Sequence, residues 1–265
     1  MSVKLFVTDL DGTLLPSGQN VSEKNIKAVQ DMVKAGITVT IATGRMYRAA
    51  VSIAKILGVD VPIITYNGAL IKSVSGEIFY SNYLLPEVVV ELTNFFEEND
   101  WHLQNYSNDE LRFAHHNKFA IGYETSQKVS GVEVGWNEMK KFTENVPKLL
   151  SISSNAEETN QRIKILREKF KNKVDVTNSA PIYTEIMSPG VSKASAILIL
   201  AEKLKINVSK VMAIGDSNND LPMLKAAGQS IAMGNAVDAV KSVCNFVTDT
   251  CENDGFAQAV YKYVL

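Results

Sequence analysis

Val3-Lys4-Leu5-Phe6-Val7-Thr8-Asp9-Leu10-Asp11-Gly12-Thr13-Leu14 is an apolar run with β-branched residues that ends abruptly on two carboxylates, a glycine and a threonine. It is too short for a helix that could stand alone and reads as a buried strand of a parallel sheet. Acids at the end of such a strand lose hydration, a cost that something must offset. In open α/β sheets, ligands bind in the crevice at the carboxyl ends of the strands. A divalent cation held there would account for two acids so close together. Magnesium is the expected ion, because it takes one or two carboxylates plus phosphate oxygens and waters.

Downstream, Pro16–Asn20 is turn-rich, and Ser22 is a good N-cap for a helix to about Lys34, with Val21 and Ile26 at the positions of a hydrophobic staple. Gly36 stands where a helix-terminating glycine belongs. Ile37–Ala42 reads as a second strand, ending in Thr43-Gly44-Arg45, which is expected to open a helix to about Leu57. Val61–Thr65 reads as a third. Strand, helix, strand, helix, strand in this order predicts a right-handed parallel sheet.

The texture then changes. Ala69–Val74 and Glu77–Asn82 flank Ser75-Gly76 as a hairpin. From Tyr83 to Met187 the pattern is mixed: a helix after Pro86, strand-like pieces at Trp101–Tyr106 and Leu111–Ala114, and a helix near Lys118–Lys128. Lys148–Ser153 reads as a strand, Ala156–Phe170 as a helix, and Val174–Thr177 and Ile182–Met187 as strands. Ser188-Pro189-Gly190 breaks the chain, and α/β alternation resumes. Ser192 caps a helix from Lys193, and Val211–Ile214 ends in Gly215-Asp216-Ser217-Asn218-Asn219-Asp220. The expected fold is therefore α/β: a Rossmann-like doubly wound parallel sheet core (residues 1–82 and 188–265) with an inserted α+β cap domain (83–187).

With 265 residues the chain can bury a sizeable core. A net charge of −2 argues against a nucleic-acid surface or a polybasic membrane patch. No segment approaches the roughly 20 apolar residues that span a bilayer, and the N-terminus enters the first strand directly, so a cytoplasmic protein is expected. Cys244 and Cys251 lack metal-site spacing and read as free thiols in a reducing compartment. His102, His115 and His116 form no metal motif and read as surface or loop residues. The sequence says little of assembly; a monomer or weak homodimer is expected.

Because every strand of a parallel sheet ends on the same edge, Asp9/Asp11, Thr43 and Asp216/Asn219/Asp220 converge on one crevice, with Lys193 at a nearby helix start. Each suits phosphoryl transfer. Asp9, at the strand end proper, can attack phosphorus. Asp11 is placed to protonate the leaving alkoxide and later to activate water, which calls for a partly desolvated carboxyl with a raised pKa. Thr43 and adjoining backbone N–H groups at a helix start would cradle an anion. Lys193 would hold Asp9 and the phosphoryl oxygens together. Asp216 would complete the metal shell, with Asn219 and Asp220 orienting it or touching phosphate. Taken singly, each has a plainer explanation: Asp-Gly as a turn, Thr43 as an N-cap, Lys193 as a solvated lysine, Arg45 as a surface residue, Asp216–Asp220 as a polar loop. Random placement rarely puts all of them on one edge in this order.

Asp9-Leu10-Asp11-Gly12-Thr13, Thr43-Gly44-Arg45, Lys193 and Gly215-Asp216-Ser217-Asn218-Asn219-Asp220 together resemble, in sequence order, the four motifs of the haloacid dehalogenase-like superfamily. About thirty residues separate the first two motifs, too few for a large insert there. The bulky insert before Lys193 resembles the Cof-type branch, as do Asn67-Gly68-Ala69, Met233-Gly234-Asn235-Ala236 and Asn253-Asp254-Gly255. The resemblance implies Asp9 as nucleophile and magnesium ligand, Asp11 as acid/base and carbonyl ligand, and Asp216 as the remaining ligand. It implies phosphate contacts from Leu10, Thr43, Gly44, Lys193 and Asn219. The expected activity is a magnesium-dependent phosphatase acting through an aspartyl-phosphate on small phosphorylated metabolites such as sugar phosphates, nucleotides or phosphorylated cofactors, with specificity governed by the cap. A phosphotransferase or phosphomutase of the same superfamily is the nearer alternative. A receiver-like phospho-aspartate module is the more distant one, being about half this length. A nicotinamide-binding domain is disfavoured, because the first strand leads into Asp-x-Asp-Gly rather than a glycine-rich turn.

Overall fold

The computed structural model describes residues 2–16 and 20–265; of the turn expected at Pro16–Asn20, Ser17–Gln19 lie outside the described residues. The chain begins β1 (Leu5–Thr8), α1 (Glu23–Lys34), β2 (Thr38–Ile41), α2 (Tyr47–Leu57), β3 (Ile63–Thr65), β4 (Leu70–Lys72) and β5 (Ile78–Ser81). It continues with α3 (Pro86–Glu98), β6 (Gln104–Asn105), β7 (Arg112–Phe113), α4 (Lys118–Gln127), β8 (Val132–Glu133), α5 (Gly135–Met139), β9 (Leu149–Ile152), α6 (Ala156–Lys169), β10 (Asp175–Thr177) and β11 (Tyr183–Met187). It ends with α7 (Lys193–Lys203), β12 (Val211–Gly215), α8 (Leu221–Ala226), β13 (Gln229–Ala232), α9 (Asp238–Lys241), β14 (Phe246–Val247) and α10 (Gly255–Tyr263). Two compact units result: Met1–Tyr80 with Ser192–Leu265, and Ser81–Val191.

The first unit is built on an all-parallel sheet in the order β14-β13-β12-β1-β2. Strand β1 sits inside it, with Leu5 opposite both Val211 and Thr38 and Thr8 opposite both Ile214 and Ile41. Every residue of β1 is fully buried, as the apolar run requires. Phe6 meets Phe256 of α10 edge-on at 5.9 Å; burying a side chain of that size contributes about 1.5–3 kcal/mol. Helix α1 starts as expected, with Ser22 accepting from the Asn25 N–H at 3.1 Å. Gly36 follows its end at φ +78°, a conformation a Cβ disfavours.

The third strand departs from the expectation. β3 joins the parallel sheet through a single bridge, Ala42 to Ile64, and otherwise pairs antiparallel with β4 in a three-stranded sheet β3-β4-β5. The expected hairpin closes at Gly76, where φ is +104° and Ser73 N–H donates to the Glu77 carbonyl at 2.8 Å. β3 has only three residues, and the short turn after it returns the chain alongside it rather than through a crossover helix.

The second unit is a six-stranded sheet, β10-β11-β9-β6-β7-β8, antiparallel except for β7–β8. Val89, Leu92 and Phe96 of α3 and Ile163 and Leu166 of α6 form a core with Leu149 and Ile186 of the sheet. β8 and α5 were not anticipated; both are short and carry little hydrophobic periodicity. His102 is not a surface residue: it is 7% exposed and its Nε2 lies 3.1 Å from Gln104 Nε2. Gln104 Oε1 accepts from the Tyr106 hydroxyl, so its amide nitrogen faces His102, whose Nε2 must be an acceptor. Burial, then the charge of Arg162, lowers the His102 pKa to about 4. His115 and His116 do lie at the surface, beside Glu133 and Glu124.

Candidate active site

The register of the parallel sheet assembles the site. Thr8, Ile41 and Ile214 are aligned across three neighbouring strands, so Asp9, Ala42–Thr43 and Gly215–Asp216 leave the same edge together. The chain order reverses between β1 and β12, and at such a switch point a crevice opens. Asp9 and Asp216 stand on either side of it.

Lys193 enters as the first residue of α7, whose start is fixed by a reciprocal Ser192–Ser195 capping box. The Tyr66–Gly68 turn packs tightly on that start: a Cβ on Gly68 would lie 2.2 Å from the Ser192 carbonyl oxygen. Lys193 is fully buried, and its Nζ contacts Asp9 Oδ1 at 2.5 Å and Asp220 Oδ1 at 2.6 Å. Burial alone would lower its pKa; Asp220 and Asp9 outweigh that and raise it, so the lysine stays charged.

Asp9, Asp216 and Asp220 are buried, with one carboxylate oxygen of each within 4.8 Å of the others. Their roles differ. Asp220 commits Oδ1 to Lys193 and Oδ2 to the backbone N–H groups of Asp216 and Ser217, at 2.9 and 3.0 Å. It is a brace. Asp216 accepts from the Thr13 hydroxyl at 2.7 Å and the Ser217 hydroxyl at 2.9 Å, which aim its carboxylate. Desolvation and then Asp220 raise the Asp216 pKa to about 7, and desolvation followed by Asp220 raises that of Asp9 against the opposing pull of Lys193. Three buried carboxylates facing one ammonium leave negative charge uncompensated, and their hard oxygen donors fit a divalent cation. A Cβ on Gly12 would come within 2.6 Å of Asp216 Oδ2, so only glycine lets the Asp9–Thr13 loop lie this close.

Asp11 does not join the cluster. Its side chain is half exposed rather than desolvated, and the Arg45 guanidinium grips it, Nε to Oδ2 at 2.8 Å and NH2 to Oδ1 at 2.5 Å. Arg45, for which a surface place is only the plainer explanation when it is taken singly, is 12% exposed. Thr43 also differs from expectation. Helix α2 begins at Tyr47, and the Thr43 N–H donates to the Ile64 carbonyl at 2.9 Å. Neither that amide nor a helix start at Thr43 can therefore cradle an anion. The Thr43 hydroxyl accepts from the Arg45 N–H at 3.1 Å, which leaves its own proton to donate. Asn219 is buried and donates to Asn67 Oδ1 at 3.0 Å. Thr13, Ser217 and Asn67 were not singled out from the sequence as supports. All three lie inside quoted motifs; Asn67, at φ +56°, occupies the left-handed region that asparagine tolerates best after glycine.

The whole chain has relatives. The haloacid dehalogenase-like hydrolase family matches residues 6–260. The 5-amino-6-(5-phospho-D-ribitylamino)uracil phosphatase YcsE of Bacillus subtilis is 34% identical, the alignment covering 100% of this chain and 97% of the relative. A second Bacillus subtilis phosphatase of the same description, YitU, is 30% identical over 98% of this chain and 97% of its own length. A haloacid dehalogenase-like hydrolase from Bacteroides thetaiotaomicron has the same fold, with TM-score 0.88, 30% identity, and coverage of 98% of this chain and 99% of the other. With the motifs, the parallel core and these relatives in agreement, the chain belongs to the haloacid dehalogenase-like hydrolases, as a phosphatase of their Cof-type branch.

Proposed function

We propose that the chain is a magnesium-dependent phosphatase that hydrolyses small phosphorylated metabolites, of sugar-phosphate type, through a phosphoryl group carried on Asp9. The observation that carries this reading is the buried set Asp9–Lys193–Asp220–Asp216 at the carboxyl edge of one parallel sheet. The Asp9 carboxylate attacks phosphorus while the bond to the leaving alkoxide breaks, and Asp11 supplies the proton that alkoxide takes up. A water then attacks the phosphorus, its proton goes to Asp11, and the acyl-phosphate bond breaks to return Asp9 and release inorganic phosphate. Asp9, Asp216 and the Asp11 carbonyl would hold magnesium, which when bound offsets the charge of carboxylate and phosphoryl oxygens. Leu10 and Gly44 through their backbone, the Thr43 hydroxyl, Lys193 and Asn219 would contact the phosphoryl oxygens, with Asp220 holding Lys193 in place. Residues 83–187 would form the cap that selects the leaving group. The phosphoribityl group in the names of the two Bacillus relatives supports a phosphorylated polyol or sugar as substrate class.

A panel of phosphorylated metabolites with magnesium, run beside Asp9→Asn, tests the proposal. Phosphate release by the wild-type chain, abolished in Asp9→Asn and by a chelator, is expected. Equal rates in both proteins, or transfer to an added sugar in place of release, would refute it.

A further inference from the structure

The Asp9–Thr13 loop and the Asp216 loop are tied together from a third segment. Asn235, in the loop after β13, donates from Nδ2 to the Gly12 carbonyl at 2.8 Å, while its Oδ1 accepts the Cys251 N–H at 2.8 Å. Two residues on, the Val237 N–H donates to the Asp216 carbonyl at 3.0 Å. Asn235–Val237 thus spans the backbones of both carboxylate-bearing loops. Its own place is fixed, since the Gly234 N–H donates to the Asp249 carbonyl at 2.9 Å and a Cβ on Gly234 would meet the Asp249 carbonyl carbon at 2.8 Å. Beneath it, the buried Cys251 Sγ lies 3.1 Å from the Thr13 carbonyl oxygen. Burial, then nearby carboxylates, pushes this thiol up to about 12, so it stays protonated and donates.

Gly12 is held from three sides. Its N–H donates to the Leu15 carbonyl at 2.9 Å, its carbonyl takes the Asn235 amide, and Asp216 leaves no room for a Cβ on the third side. In a planar trans peptide, the Asp11 carbonyl points opposite to the Gly12 N–H. Fixing Gly12 therefore fixes that carbonyl, and the Thr13 hydroxyl on Asp216 depends on the same loop.

We propose that Asn235 is a positioning residue that sets the separation and orientation of the Asp9–Asp11 and Asp216 donors, and through them the affinity for the divalent cation. This rests on reading those donors as a metal site. Asparagine suits the position because it must accept at Oδ1 and donate at Nδ2 together; aspartate would keep only the accepting half.

The test is calorimetric titration of the full chain with Mn2+ alone, for wild type, Asn235→Ala, Asn235→Asp and Cys251→Ala, with phosphate-ester kinetics at saturating Mn2+ alongside. The wild type is expected to bind. Both Asn235 variants should bind about 10-fold or more weakly, the usual range for lost outer support of metal ligands. Their KM at saturating Mn2+ should be unchanged, and Cys251→Ala should lose less than either. Wild-type affinity in Asn235→Asp would show that Asn235 only caps the Cys251 turn and would overturn the proposal. Equal losses in all three variants would mean general loosening and would overturn it too. A wild-type chain that binds no Mn2+ would instead refute the metal-site reading, and the proposal with it.

Discussion

Arg45 holds Asp11 through both carboxylate oxygens, at 2.8 and 2.5 Å, although the two residues are 34 positions apart. A fork of this kind fixes a carboxylate's direction as well as its charge. It places Asp11 outside the buried cluster, with its side chain half open to solvent. If Asp11 protonates the leaving group, removing the fork should matter most for leaving groups that need a proton.

Arg45→Ala is accordingly expected to lower kcat/KM for alkyl phosphates about 10-fold or more, and for p-nitrophenyl phosphate, whose phenolate leaves unaided, only slightly. Parallel losses on both substrates would place Arg45 in phosphate binding rather than in positioning Asp11.

Lys193 is the only cation hydrogen-bonded to Asp9 and Asp220 among the described residues. Lys193→Met leaves both carboxylates buried and unpaired, so stability in urea, with chelator present, should fall by about 3–5 kcal/mol. Adding Asp220→Asn removes one stranded charge and should restore part of that loss. A double variant no more stable than Lys193→Met would contradict the pairing.

His102 predicts a pH signature in the second unit. Its ring titrates at about 4 when folded against 6.5 as the ordinary value. As pH falls from 6.5 toward 4, the unfolded chain takes up a proton that the folded chain refuses, and stability declines by about 3 kcal/mol in total. His102→Gln should flatten urea midpoints across that window; an unchanged slope would place the acid sensitivity elsewhere.

Lys148 and Glu185 form a second buried pair, at 2.6 Å, with both side chains at most 2% exposed. Lys148→Met should cost about 3 kcal/mol or more in urea unfolding, because it strands the carboxylate. A neutral effect would show that Glu185 is already satisfied without the lysine.

The sequence was most informative where local chemistry and tertiary role coincide. Asp9 could be read because an apolar run ends on it, and Ser22 and Ser192 because a cap acts within three residues of itself. Edge effects were harder to read. Three residues, Ile63–Thr65, carry the same pattern whether the next strand is parallel or antiparallel. Pairings across the fold leave no local trace at all. Nothing around Arg45 says that it grips Asp11, and Met233-Gly234-Asn235-Ala236 carries a family likeness but no sign that Asn235 bonds Gly12. His102 looked superficial because nothing in Trp101-His102-Leu103 shows that Tyr106 and Gln104 will orient it inward.

The claim on which the mechanism stands is that the phosphoryl group passes through Asp9. Borohydride added during turnover reduces an acyl phosphate to the alcohol, and peptide mass mapping then locates the modified residue. Reduction at residue 9 alone, dependent on both substrate and magnesium, is predicted. Modification at Asp216 or Asp11 instead, or steady turnover with Asp9 never reduced, would contradict the account.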